Sequence, residues 1–225
     1  MKLLAPQMRE RRERILESAR RIIGEGGYAS LTMRDLAAAA DVTVPTIYNL
    51  VGGKDQVLIA AVADQTERFV AGIERLEAPA PGSRVCAVVE AAVREMLGAP
   101  LYYRALLPIL FSQPRDHAAR AKVERALTGP LYRGIEELLD AGELSEWVRP
   151  QVLRDRLLSH LSFTALRWAA GDLDDSGFRA VALSDACWML LGVTRGGTRA
   201  ALERQAAALE RRLPVGDERR QAGGG

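Results

Sequence analysis

Three helix stops fall between Gly24 and Gly53, and they leave the segments between them room for only two short helices. Ile15, Ala19, Ile22 and Ile23 form an apolar stripe at helical spacing, and Gly24-Glu25-Gly26-Gly27 predicts its end, because glycine turns the chain without steric cost. Tyr28 and Leu31 follow as core-covering residues. Thr32 predicts an N-cap for a helix over Met33–Ala40, with Asp35 three residues after it in the manner of a capping box. Asp41 ends that helix. After a tight turn Thr43 caps the next, with Pro45 in its first turn, where a missing N–H costs little, and Gly52-Gly53 closing it. Three helices close together thus occupy the start of the chain.

The last of these, within VTVPTIYNLVGGK at 42–54, is too short to exist for the sake of a core. Ile47, with Val44 or Leu50, can face inward, which leaves Thr43, Pro45, Thr46, Tyr48 and Asn49 turned outward. A short pair of helices joined by a tight turn fits a helix-turn-helix, whose second member lies in the DNA major groove. The residue chemistry agrees. A helix N-terminus presents free N–H groups and partial positive charge, so Thr43 and the backbone after it can hold a phosphate. The Tyr48 phenol reaches phosphate without ionic pairing, and Lys54 supplies a cation at the start of the following helix. Phosphate contacts set register without reading sequence. Base reading then falls to Val44, Pro45, Thr46 and Asn49, through thymine-methyl contacts and an amide able to bond adenine.

Bulk charge says little about partners: 31 Lys and Arg face 29 Asp and Glu, a formal +2. Its placement says more, since Arg9, Arg11, Arg12, Arg14, Arg20 and Arg21 crowd the start of the chain among Glu10, Glu13 and Glu17. A solvated helix face accounts for that run as readily as a partner does. Cys86 and Cys187 stand alone with no CxxC partner, which predicts buried thiols and a reducing compartment. The apolar stretch in MKLLAPQMRERR is too short for a signal peptide. The longest later run, Ala186 to Val193, is far below the ~18 residues of a membrane span, so a soluble, cytoplasmic protein with no membrane partner is expected.

Beyond residue 53 the periodicity stays helical and strand candidates are nearly absent, which predicts an all-α fold. Helices are expected at Lys54–Leu76, Ser83–Ala99, Leu101–Ser112, Arg115–Ala141, Gln151–Gly171, Ser176–Thr194 and Gly197–Leu213. Pro108 should kink one of them, and Gly129-Pro130 should kink or split another. The domain expectation is a helix-turn-helix unit over 1–53, a second helical unit over 54–213 whose first helix, 54–76, connects the two, and a disordered tail over 214–225. The chain holds no HExxH, no GxSxG and no phosphate-binding glycine loop, so no catalytic residue is assigned. His117 and His160 lie far apart, and Glu136-Glu137 has no histidine at metal-ligand spacing, so neither a metal nor another cofactor is expected.

From Arg14 to Ala63 the sequence resembles the DNA-binding domain of tetracycline-repressor (TetR/AcrR) regulators. Gly27-Tyr28, Thr32, Arg34, Asp35, Ala37, Val42, Thr43, Thr46, Tyr48 and Lys54 stand at the spacings of that family. The resemblance implies phosphate roles for Thr43, Tyr48 and Lys54, and base contacts for Arg34, Val44, Pro45 and Thr46. Four positions depart from the pattern. Asp41 stands where glycine is common, Leu50-Val51 replaces the usual aromatic or histidine pair, and Val44 is apolar where a polar reader is frequent.

The resemblance also implies a helical effector-binding domain and a homodimer formed by Gln151–Gly171 and Ser176–Thr194, acting on an inverted-repeat operator of double-stranded DNA. Leu157, Leu161, Phe163, Leu166, Trp168, Phe178, Ala182, Ala186, Trp188 and Met189 on those helices fit either a seam or an ordinary core. An effector pocket is expected among Met96, Leu97, Tyr102, Tyr103, Leu106, Phe111, Trp147 and Trp168, with His117, His160 and the tyrosine hydroxyls as polar anchors. Its guest is then a hydrophobic or amphipathic small molecule. The competing expectation is a DNA-bound scaffold that answers to a protein partner instead.

Overall fold

The structure is a computed structural model, which describes residues 4–61, 72–73, 80, 82–112 and 118–211. Its elements are α1 (Leu4–Ser30), α2 (Met33–Ala39), α3 (Val44–Leu50), α4 (described over 54–61), α5 (Ser83–Gly98), α6 (Pro100–Ser112), α7 (Ala118–Asp140), α8 (Pro150–Ala170), α9 (Asp175–Leu191) and α10 (Gly196–Glu210). Among the described residues no strand forms, and one isolated antiparallel bridge joins Leu144 to Thr194. The all-α expectation therefore holds.

Local chemistry explains most of the boundaries. The glycine run does not stop α1 as a whole. Helical structure passes through Gly24 and Gly26 and breaks at Gly27, whose φ of 75° and ψ of 177° suit a residue without Cβ. Asp41 takes a φ of 51° in the turn between α2 and α3, a conformation aspartate visits more readily than most side chains. α7 runs from Ala118 to Asp140 without splitting at Gly129-Pro130, and just before the proline Thr128 Oγ1 donates to the Glu124 carbonyl at 2.6 Å. α10 ends at Glu210, three residues short of the expected Leu213. The later part of the 54–76 helix and the 214–225 tail lie outside the described residues.

Two apolar cores organise the chain. The first joins Ile15, Leu16, Ala19 and Ile23 of α1, Leu36 and Ala37 of α2, Ile47 of α3, and Val57, Leu58 and Ala61 of α4. Tyr102, Leu106 and Leu110 of α6 complete it, so α6 packs along α1. The second core gathers α5, α7, α8, α9 and α10 around Val85, Ile135, Leu157, Trp168, Phe178 and Leu190. Cys86 and Cys187 are buried there as free thiols, as the sequence predicts. Trp168 stacks on Phe178 at 4.9 Å between centroids and donates from Nε1 to Asp175 Oδ1 at 2.8 Å. Arg104 of α6 lies over the Trp168 ring at 4.8 Å and bonds the same carboxylate at 3.0 Å, tying α6 to α8 and α9. Glu143 closes the turn after α7 by accepting from Thr198 Oγ1, from Gly197 N at 3.0 Å and from Thr198 N at 3.1 Å at the start of α10.

Candidate nucleic-acid interface and effector cavity

The end of the molecule that carries α2 and α3 is built by its caps. Thr32 accepts from Asp35 N at 3.1 Å, and its hydroxyl donates to the Asp35 carboxylate at 2.6 Å, a side-chain variant of the expected box. Thr43 accepts from Thr46 N at 3.4 Å, and the two hydroxyls lie 2.8 Å apart. That mutual bond engages the Thr46 hydroxyl. Ile47 is the buried residue of α3, with Val44 and Leu50 half-buried beside it. Thr43, Pro45, Tyr48 and Asn49 are exposed, Tyr48 by 55%, and Arg34 is exposed on α2. Of the outward group read from the sequence Thr46 alone is half-buried, and the rest is displayed at the start and along the exposed side of α3.

Behind it the turn into α4 is tight. Gly52 has a φ of 121°, and a Cβ there would lie 2.9 Å from the Gln56 Cβ, so only glycine fits. This turn brings Lys54 Nζ over the Tyr28 ring, 4.2 Å from its centroid, while the Tyr28 hydroxyl bonds Asp55. Burial first, and then the Asp55 bond, push the Tyr28 phenol above its ordinary range. It stays protonated as a tether between the end of α1 and the start of α4. Arg20 adds a second tether, donating to the Ala61 carbonyl at 3.2 Å.

A cavity of about 80 Å³ lies between α5, α6, α7 and α8. Four of the residues proposed from sequence line it: Met96, Tyr103, Leu106 and Phe111. The others do not. Tyr102 follows the opposite side of α6 into the first core, where its hydroxyl donates to the Leu58 carbonyl at 3.4 Å. Leu97 packs half-buried against the second core, Trp168 is fully buried within it, and Trp147 is 73% exposed in the turn before α8. His160 lies on the surface, its Nε2 2.8 Å from Asp185 Oδ2. His117 lies outside the described residues.

The sequence reading missed the cavity's polar groups, Glu95, Glu124 and Ser162. Glu95 lies one position before Met96 on the cavity-facing side of α5, a carboxylate bordering an apolar stripe, and that was the available signal. It accepts from the Tyr103 hydroxyl at 2.9 Å. Burial, and then the Glu95 charge, raise the Tyr103 phenol, which remains a donor. Among the described residues no group of three or more His, Cys, Asp or Glu side chains is placed to hold a metal, and no helix is long and apolar enough to cross a membrane.

Residues 15–61 match the family model for bacterial regulatory proteins of the tetR family. Over those residues the chain resembles the TetR family. Its sequence is 36% identical over 100 residues to the HTH-type transcriptional repressor KstR of Mycolicibacterium smegmatis, covering 44% of this chain and 49% of that protein. It is 30% identical over 118 residues to KstR of Rhodococcus jostii, covering 52% and 54%. The chain thus spans about half the length of these curated relatives. The TetR fold extends over the remainder. A structure of RolR in complex with resorcinol superimposes with a TM-score of 0.67 at 19% identity, covering 94% of this chain and 98% of that one. A structure of FadR from Bacillus subtilis in complex with stearoyl-CoA gives 0.63 at 20% identity, covering 80% and 98%.

Proposed function

We propose that this chain is a ligand-responsive transcriptional repressor of the TetR family that binds an inverted-repeat operator as a homodimer. The observation that carries the proposal is the double position of α6: Leu106 and Leu110 belong to the core beneath the helix-turn-helix and also line the cavity. A cavity of about 80 Å³ admits a few waters, whereas pockets that enclose small molecules run to ~300–1,000 Å³. A guest must therefore move the cavity walls, and α6 is the wall that bears on α1. Such a guest shifts the protein only by binding the displaced arrangement more tightly than the DNA-competent one.

In this reading Thr43, Tyr48 and Lys54 hold phosphates, while Arg34, Val44, Pro45, Thr46 and Asn49 approach bases. The names of the matched repressors support repression, and the complexes of RolR with resorcinol and FadR with stearoyl-CoA support an organic guest. The apolar lining favours a hydrophobic or amphipathic effector with at most one charge, oriented by Tyr103, Glu95, Glu124 and Ser162. For the dimer, Leu157, Leu161, Trp168, Phe178, Ala182 and Ala186 are used by the chain's own core, which leaves Phe163 on α8 and Trp188 on α9, 60% and 49% exposed, as the apolar groups of a seam. The test is to recover genomic DNA fragments bound by the purified protein and then screen organic compounds by thermal shift, measuring operator release for each hit. A shared inverted repeat, with half-sites ~34 Å apart centre to centre, and release by stabilising ligands are the expected results. If stabilising ligands leave operator affinity unchanged, the sensor part of the proposal is wrong, and a protein partner becomes the regulator to seek.

A further inference from the structure

The core first buries α1 at Ile15, and residues 6–14 are exposed on every side. More than two turns of helix therefore stand beyond the folded unit without contributing to its interior, although short exposed helical segments are marginal in water. The extension has a definite orientation. Gln7, Glu10, Arg11 and Arg14, three and four residues apart on one face, form a wall of an open groove of about 530 Å³. Asp41, Val42, Thr43 and Thr46 form the opposite wall, so the groove runs directly beside the first turn of α3. Residues 6–14 contain four arginines and two glutamates, four minus two giving a net +2. Arg9 lies 3.9 Å from Glu13, whereas Arg11 and Arg14 have no ion pair or hydrogen bond among the described residues.

Resting on the reading of α3 as the helix that enters the major groove, we infer that this groove receives one sugar–phosphate strand bordering that groove, with Arg11 and Arg14 as phosphate ligands. The amino-terminal extension of α1 is then a second DNA-binding element. A helix that enters the major groove has a backbone strand on either side of it, and a strand passing the start of α3 must run between α3 and the extension. Two carboxylates border the same space. Asp41 is short and fixed in its turn, while the arginine stems carry their charge well away from the helix, so the phosphate seats at the guanidinium groups. Glu10 stands on the same wall as those arginines and opposes them, which fixes the sign of a control.

The experiment measures affinity by fluorescence anisotropy between about 50 and 200 mM salt, on a mixed-sequence duplex long enough for two half-sites and on a fragment selected with the purified protein. Each phosphate contact contributes ~0.9 to the slope of log K against log salt, so the double variant Arg11→Ala/Arg14→Ala lowers the slope by ~1.8 per protomer on both duplexes alike. Over that salt range wild type then loses about tenfold more affinity per protomer than the variant. Glu10→Gln strengthens binding at low salt. Arg12→Ala, which faces away from the groove, changes the slope by less than about half a unit. An unchanged slope in the double variant, while Thr46→Ala still alters sequence preference, overturns this inference and leaves the α3 reading standing. Wild type that binds neither duplex removes both. Since Arg11 and Arg14 are exposed and lie outside both cores, the double variant keeps the wild-type melting temperature.

Discussion

Truncating Ile47 tests how the reading helix is held. A seven-residue helix has no stability of its own in water. α3 is therefore kept in place by its caps, by half-buried Val44 and Leu50, and above all by Ile47, which is completely buried. Removing a buried isoleucine down to alanine costs ~2–5 kcal/mol, and Ile→Val only ~0.5–1.5. At 1.4 kcal/mol per factor of ten, the docked-to-detached equilibrium of α3 should fall at least ~25-fold in Ile47→Ala and ~2- to 12-fold in Ile47→Val. DNA affinity falls only by the fraction of molecules in which α3 is docked. The two readouts should therefore separate. Hydrogen exchange at the Ile47, Val51 and Gly52 amides, which donate to Thr43 and Ile47 carbonyls, accelerates in both variants, while operator affinity drops clearly only in Ile47→Ala. Exchange around α8 and α9, in the other core, stays at the wild-type rate. If Ile47→Ala showed wild-type exchange in α3 and wild-type operator affinity, the account of Ile47 as the main anchor of the helix would be refuted.

Tyr48→Phe and Lys54→Ala should each weaken binding to all sequences alike, with Lys54→Ala reducing the salt slope by ~1 per protomer, whereas Thr46→Ala changes sequence preference in a binding-site selection. Trp188→Glu should give a folded monomer by sedimentation that has lost specific binding. Ala186→Glu should unfold the chain instead, because Ala186 is buried in its own core and the new charge has no partner there. The Thr198 hydroxyl bond, with the backbone bonds of Thr198 and Gly197, holds the Glu143 carboxyl below its usual range, so its contribution is complete above the ordinary glutamate value of about 4.3 and disappears as pH falls through the lowered one. Thermal melts of Glu143→Gln should accordingly lie below wild type at neutral pH and converge on it in acid.

The helix-turn-helix was legible because its determinants are local. Thr32, Thr43 and Pro45 act on backbone groups within a turn of themselves, and the structure places each in the capping or first-turn position read for it. The glycine run was legible only in part, since three of its four residues tolerate helix and only Gly27 takes a conformation that helix excludes. The cavity was much less so. An aromatic side chain reads the same from sequence whether it faces a void, a core or solvent, and Tyr103, Trp168 and Trp147 occupy one of each. What separates them is how α6 crosses α1 and α8, a matter of packing between distant segments. The carboxylates of the cavity were hidden for the converse reason: a glutamate beside an apolar stripe is ordinarily the edge of a solvated face.

Trp168 also gives the molecule an internal optical gauge. It is fully buried against Arg104 of α6, whereas Trp147 is exposed to an aqueous quencher such as iodide and Trp188, in the proposed seam, can be replaced by phenylalanine. Quenching the one and replacing the other leaves emission from an indole whose ring lies against a guanidinium carried by the helix between cavity and reading head. Any displacement of α6 changes the electric field on that ring, so the position of α6 can be followed in an unlabelled protein as a wavelength shift, in real time and without DNA present.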